Sequence, residues 1–145
     1  MASVFLHWKV LGEGGATIVF NSHSQASVDK GIAAYSEQNI HARGFVCDVT
    51  DEYSVNRLVE TVERDIGVID ILVNNAGIIK RIPMCDMTIA EFRQVIDVDL
   101  NGPFIVSKAV LPSMIKKGHG KIINICSMMS ELGRETVSAY AAFQM

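Results

Sequence analysis

The chain has 145 residues and a formal net charge of −3 at pH 7, with 49% hydrophobic and 20% charged residues. This length suits one domain over residues 1–145, and the balance is typical of a globular protein, which excludes a disordered chain. There is no basic surface to favour nucleic acid, and no apolar run approaches the roughly 20 residues that span a bilayer, so neither partner is expected.

Four apolar runs alternate with segments of helical spacing. The runs lie at residues 16–20, 44–49, 69–73 and 121–126. A first helix is predicted over 25–38, a second begins at Asp51 and Glu52, and a third begins at Thr88 with Glu91 completing a capping box. This alternation predicts parallel βαβ units with right-handed crossovers, an α/β fold. Because the strands are almost continuously apolar, both faces of the sheet should be covered.

Each predicted helix has an apolar stripe that should face the core. The stripes comprise Val28, Ile32 and Ala33 in the first helix, Val55, Leu58, Val59 and Val62 in the second, and Ile89, Phe92, Val95 and Ile96 in the third. The basic run over 116–121 is interpreted as the end of a later helix. Cations there favour the helix dipole, and Gly118 can form the cap.

Asn101-Gly102-Pro103 interrupts the third helical region. A proline lacks an amide hydrogen and pushes on the carbonyl four residues earlier, which here belongs to Asp99. That carbonyl would be left able to hold a water molecule. A simple bend between two helices is the alternative, and the sequence leaves both open.

The cysteines are three in number, Cys47, Cys85 and Cys126, without the spacing of paired ligands. They are interpreted as small buried hydrophobic residues of a reduced protein. The four histidines are scattered, so no metal site is expected. The first eight residues have an apolar patch but no basic leader, so no signal peptide is predicted and the cytoplasm is the expected location.

The most informative segment is Asp70-Ile-Leu-Val-Asn-Asn-Ala-Gly77, in which a buried strand runs directly into a tight turn. Asn and Gly tolerate such a backbone and let a flat ligand approach closely. Open parallel sheets bind ligands at the carboxyl ends of their strands. An ordinary loop is the alternative for this turn taken alone.

Several motifs together resemble the short-chain dehydrogenase/reductase family. They are Ile71-Leu-Val-Asn-Asn-Ala-Gly77, Gly120-Lys-Ile-Ile-Asn-Ile-Cys-Ser127, the Tyr140 that follows Ser127 by 13 positions, and Phe45-Val-Cys-Asp48-Val49. The segments Gly77–Met84 and Ser127–Glu135 are most similar to family members that act on gluconate. The resemblance covers about Gly14 to Ala142, which is only the middle of a typical member.

The resemblance implies a partial Rossmann-like parallel sheet with flanking helices, and hydride transfer between NAD or NADP and a secondary alcohol or ketone. Tyr140 would act as acid/base and Ser127 would hold the reacting oxygen. Asp99 occupies the position of the family's helix asparagine, whose main-chain carbonyl holds a relay water. The implied cofactor-binding residues are Asn21, Asp48, Val49, Asn75, Ala76 and Gly77. The substrate would be a hydroxy or keto sugar acid, and the family is usually homo-oligomeric.

This chain also departs from the family pattern. Gln144 stands where the family has a lysine, and it supplies no charge to favour a phenolate, so hydride transfer should be slowed. The family's first strand with its glycine-rich turn has no counterpart, so two pairs of strands should lack the strand that joins them. The last strands are also expected to be absent.

Two further questions stay open on the residues alone. The first is the choice of coenzyme. The run at 16–20 is followed by Asn21-Ser22-His23, which contains neither an acidic residue to bind the ribose hydroxyls of NAD nor an arginine to bind the 2′-phosphate of NADP. Lys80 and Arg81 could attract a sugar-acid carboxylate, with solvated loop charge as the alternative. A second hypothesis for the whole chain is a non-catalytic fragment that binds nucleotide weakly or docks on intact subunits of the family.

Overall fold

The computed structural model describes residues 15–127, 136, 137, 139 and 140. Helices and strands alternate along the described chain. Their bounds are β1 (Ile18–Ser22), α1 (Gln25–Ser36), β2 (Ala42–Val46), α2 (Glu52–Asp65), β3 (Ile71–Asn74), α3 (Ile89–Ile96), a π-helical turn (Asp97–Asn101), α4 (Gly102–Lys117) and β4 (Lys121–Asn124). All four predicted strands are found, with their ends displaced by up to three residues.

The strands form two separate parallel pairs. In one pair Ile18 of β1 lies opposite Ala42 of β2, and in the other Ile71 of β3 lies opposite Lys121 of β4. The parallel α/β arrangement is therefore confirmed, and the described strands form a partial Rossmann-like fold in which two strand pairs lack a strand that joins them. The chain divides into two compact units between Asp48 and Val49. The single domain over 1–145 stays a prediction.

The first unit is built around β1, α1 and β2. Its core contains the buried residues Ile18, Tyr35 and Ile40, and the ring of Phe20 packs against that of Tyr35 with centroids 5.1 Å apart. A Cβ added at Gly44 would come within 2.6 Å of Val28 and 2.8 Å of the Phe20 ring. The strand and helix therefore approach closely because position 44 has no side chain.

The predicted stripe of α1 is only partly correct. Val28 is buried, whereas Ile32 is 42% exposed and Ala33 is also exposed. The helix packs instead through Val28 and Tyr35, whose spacing of seven residues places both on one face. The pattern correctly predicts an amphipathic helix, but the predicted apolar face is rotated by about one residue from the face that is buried.

Helix ends in the second unit agree with the predictions. Asp51 caps α2 by accepting the Tyr53 amide N–H at 3.1 Å. Thr88 and Glu91 form the complete capping box at the start of α3. Gly118 ends α4 in the left-handed conformation with φ of 81°. The α2 stripe is likewise confirmed, because Val55, Val59 and Val62 are buried and Leu58 is half-buried.

Two expectations of burial in the second unit are wrong. Within α3 only Val95 is fully buried, while Ile89 is 67% and Phe92 38% exposed. The apolar strands are not covered on both faces, since all of β4 is exposed, including Ile122 and Ile123. Within the described residues β4 has β3 as its one partner strand, and its side chains remain accessible.

The cysteines also differ from expectation. Cys47 is buried, whereas Cys85 and Cys126 are exposed. Cys85 lies in the turn before α3, and Cys126 follows the exposed strand β4, so neither has a core to pack into. A search of the described helices finds none with the length and apolar character needed to cross a membrane.

Candidate functional site

The carboxyl ends of β3 and β4 are tied together by a buried amide. Asn74, the last residue of β3, donates through Nδ2 to Asn124 Oδ1 at 2.9 Å and to Ser107 Oγ of α4 at 3.1 Å. Both amide hydrogens are thereby satisfied. The sequence predicts for Asn74 only a place in the tight turn that follows β3. Its partners lie 33 and 50 residues away, so only the long-range fold identifies this cross-link.

The turn after β3 brings several predicted site residues together. Asn75 is half-buried, and Ala76 and Gly77 are exposed. Asp99 lies against this turn, with Oδ1 accepting the Ile78 amide N–H at 2.8 Å. A Cβ added at Gly77 would lie 3.6 Å from the same oxygen. The predicted cofactor-binding turn and the predicted residue Asp99 are therefore neighbours in the folded chain.

The Asp99 side chain is only 5% exposed. Its second oxygen, Oδ2, is buried without a hydrogen-bond partner. Burial raises the pKa of this carboxyl to about 6, because a charge is poorly solvated there, and the hydrogen bond from Ile78 opposes the rise. The carboxyl is therefore mainly ionised at pH 7 and mainly neutral at pH 5.

The proline expected to interrupt the helix is accommodated by a π-helical turn. The Gly102 N–H donates to the Asp97 carbonyl, five residues earlier, and Pro103 lies in the first turn of α4. Such turns occur often at functional sites. A Cβ at Gly102 would lie 2.9 Å from Val49 Cγ2, so the predicted cofactor residue Val49 packs directly on this bend. The water on the Asp99 carbonyl stays a prediction.

The loop that continues from this turn is joined to the segment bearing Tyr140. The Ile82 N–H donates to the Thr136 carbonyl at 2.9 Å. Thr136 has φ of 69°, a strained conformation for a β-branched residue. The neighbouring Val137 and Ala139 are each 1% exposed, and Tyr140 is half-buried. Thr136 therefore links the segment that leads to Tyr140 to the loop that contains Lys80 and Arg81, within the second unit.

The other catalytic candidates are placed less completely. Ser127 is half-buried and follows β4. Its pairing with Tyr140 stays a prediction, and Gln144 lies outside the described residues. The described ranges contain no group of three or more His, Cys, Asp or Glu side chains placed to hold a metal ion.

In the first unit two cofactor candidates lie at the carboxyl ends of the strands. Asn21 is exposed near the end of β1 and its Nδ2 donates to the Cys47 carbonyl at 3.4 Å. Asp48 follows β2 and is also exposed. Amide and carboxylate groups of this kind fit the hydroxyl groups of a nucleoside. The α1 N-terminus is capped by the Ser24 hydroxyl, and the described turn between β1 and α1 contains no glycine to form a cradle for a pyrophosphate.

Comparison with known proteins places these features in context. The family model for short chain dehydrogenase matches residues 8–143. The 2-dehydro-3-deoxy-D-gluconate 5-dehydrogenase of Formosa agariphila is 53% identical over 135 residues, with 92% of this chain and 51% of that protein covered.

Two solved structures are also similar. The 2-keto-3-deoxy-D-gluconate dehydrogenase from Streptococcus agalactiae is 70% identical, with a TM-score of 0.74, and 90% of this chain and 49% of that one are covered. A gluconate 5-dehydrogenase from Burkholderia cenocepacia J2315, solved with NADP and tartrate, has a TM-score of 0.82 at 40% identity, with 92% and 52% covered. The chain thus spans about half the length of the relatives it matches.

Proposed function

This chain belongs to the short-chain dehydrogenase family, and from that premise we propose that its protein transfers hydride between NAD or NADP and a secondary alcohol or ketone of a sugar acid such as gluconate. The hydrogen bond from Ile82 to Thr136 is the observation that best supports this proposal. It joins the loop beyond the Gly77 turn to the segment that bears Tyr140, so this turn and the acid/base candidate belong to the same compact unit. The names of the relatives supply the substrate class.

The proposed chemistry assigns a separate role to each residue. In the oxidative direction Tyr140 removes the proton of the substrate hydroxyl, while Ser127 hydrogen-bonds the same oxygen and holds it in line. A bound coenzyme would supply the acceptor for the hydride that leaves the carbinol carbon. The main-chain carbonyl of Asp99 holds a water that connects the site to solvent. In the reductive direction Tyr140 returns the proton to the forming alkoxide.

The coenzyme contacts come from small and polar residues. Asn75, Ala76 and Gly77 form the turn that a flat coenzyme approaches. Val49 would pack beside the base, and Asp48 and Asn21 would bond hydroxyl groups.

The substrate carboxylate would be attracted by the basic loop residues Lys80 and Arg81.

The proposed location is the cytoplasm, and the proposed domain is a partial dinucleotide-binding domain over residues 1–145.

We expect this chain to turn over slowly. An unperturbed phenol has a pKa near 10, so a base of this type needs a nearby cation to be useful at neutral pH. Gln144 replaces the lysine that the family uses. The same substitution and the exposed strand β4 favour the second candidate function, a non-catalytic chain that binds nucleotide weakly or docks on intact subunits.

Coenzyme binding followed by turnover separates these functions. NADH and NADPH fluorescence is titrated with the purified chain, and reduction of NAD and NADP is then followed with gluconate as substrate. Binding with slow turnover that Tyr140→Phe abolishes supports the dehydrogenase. Tyr53→Phe, at a tyrosine of α2 that is 70% exposed, is the matched control and should keep wild-type turnover. Binding without turnover favours the second function in its nucleotide-binding form, and absence of binding overturns both the dehydrogenase proposal and that form.

A further inference from the structure

The buried carboxylate of Asp99 has a position that the proposed hydride transfer does not use. The reaction as proposed needs only its main-chain carbonyl. The carboxylate itself contacts the turn at Gly77 and accepts the Ile78 N–H, while Oδ2 has no hydrogen-bond partner. A buried carboxylate is normally paired, and one that is not exerts its charge on its surroundings.

No cation neutralises this charge within the described part of the chain. The ion pairs found there are Arg64 with Asp65, Lys108 with Glu52, and Asp70 with Lys117 and His119, and all involve other carboxylates. Because Asp99 is nearly inaccessible to solvent, salt screens it less than it screens those surface groups. The field of Asp99 therefore reaches the turn with little attenuation.

The coenzyme end that would feel this field is the nicotinamide. Gly77 and Ile78 lead into the loop whose Ile82 bonds the segment bearing Tyr140. A hydride acceptor must lie beside the group that moves the substrate proton, so the reacting ring belongs to this unit. The oxidised ring carries one positive charge and the reduced ring carries none, although the two are almost equal in size.

We propose that the Asp99 carboxylate determines which oxidation state of the coenzyme the site prefers, by favouring the cationic, oxidised nicotinamide over the neutral, reduced form. This inference rests on the proposed coenzyme site. It assigns Asp99 a role in specificity that an asparagine at this position could not fill, because an amide has the same shape without the charge. Gly77 leaves the carboxylate without an intervening side chain on the turn.

The test compares dissociation constants for NAD⁺ and NADH in the wild type, Asp99→Asn and Asp97→Asn. Asp97 is an exposed carboxylate of the same π-helical turn and provides the matched control. Isothermal titration calorimetry at pH 8 gives the ratio Kd(NADH)/Kd(NAD⁺), with circular dichroism as the check of folding. NADP⁺ and NADPH are used if those bind more tightly.

Asp99→Asn should lower the ratio about threefold to tenfold, the size expected for a single charge acting over a short distance in a poorly screened site. Asp97→Asn should leave it within about twofold. An unchanged ratio in Asp99→Asn, or an equal change in Asp97→Asn, overturns the inference and leaves the proposed function standing. Failure of the wild type to bind any coenzyme overturns both. Should Asp99→Asn not fold, Asp99→Ser also removes the charge, in a smaller polar side chain, and carries the same expectation.

Discussion

Replacement of Asp99 by asparagine should stabilise the folded chain at neutral and alkaline pH. The substitution keeps an oxygen that can accept the Ile78 N–H and removes the charge that burial disfavours. The folded-state pKa of about 6 exceeds the ordinary value of 3.8 by roughly two units. At 1.36 kcal/mol per unit, ionisation of Asp99 costs the folded state about 3 kcal/mol.

The sign of the pH dependence follows from the raised pKa. Below about pH 4 the carboxyl is protonated in both states and costs nothing. Between about pH 4 and 6 the unfolded state ionises first, so this group lowers the free energy of unfolding as the pH rises. Above pH 6 the loss is complete. The amide of Asp99→Asn must itself find a partner, which costs about 1 kcal/mol, so the net gain at pH 8 should be about 1–3 kcal/mol.

Urea denaturation at several pH values between 4 and 8 measures this effect. The difference between Asp99→Asn and the wild type should grow between pH 4 and 6 and then stay constant. Asp97→Asn, which changes an exposed carboxylate bonded by the Asn101 side chain at 2.9 Å, should shift the free energy of unfolding by no more than about 0.5 kcal/mol. A difference independent of pH, or an Asp99→Asn variant less stable than the wild type at pH 8, would refute the reasoning.

Three other substitutions test the packing around the site. Asn74→Ala should lower the free energy of unfolding by about 2 kcal/mol because Ser107 and Asn124 lose the donor that links α4 and β4 to β3, and urea denaturation should show no such loss for the exposed Asn56→Ala. Thr136→Gly should raise it by about 0.5–1 kcal/mol by relieving the positive φ, and a lower melting temperature would contradict the assigned strain. Thr88→Ala should lower the free energy of unfolding by about 1 kcal/mol because the capping box is lost, and an unchanged urea midpoint would argue against that contribution.

Features determined by neighbouring residues were predictable from the sequence. The caps at Asp51, Thr88 and Gly118 depend on groups within a few positions, and all three are found. The alternation of strands and helices and the parallel pairing are also confirmed. Strand ends were less accurate because an apolar run does not specify where hydrogen bonding to the neighbouring strand stops.

Features determined by distant contacts were not predictable. Ile32, Ile89 and Phe92 have helical spacing suitable for burial, yet each is exposed. Whether such a residue is buried depends on which element lies opposite, and the chain offers two separate strand pairs instead of one continuous sheet. The Asn74 cross-link belongs to the same class, since both of its partners are more than 30 residues away.

The role of Asp99 depends both on neighbouring residues and on distant contacts. The two effects expected of its charge, on stability and on coenzyme preference, can be tested against each other. The proline four residues later identified its position in the sequence, but only the fold shows that its carboxylate is buried and unpaired. The charge that costs stability is the same charge that we propose favours the oxidised coenzyme. Removal of that charge should therefore raise the free energy of unfolding and weaken the preference together. An Asp99→Asn variant that gained stability but kept its preference would show that the charge is buried too far from the nicotinamide to act on it.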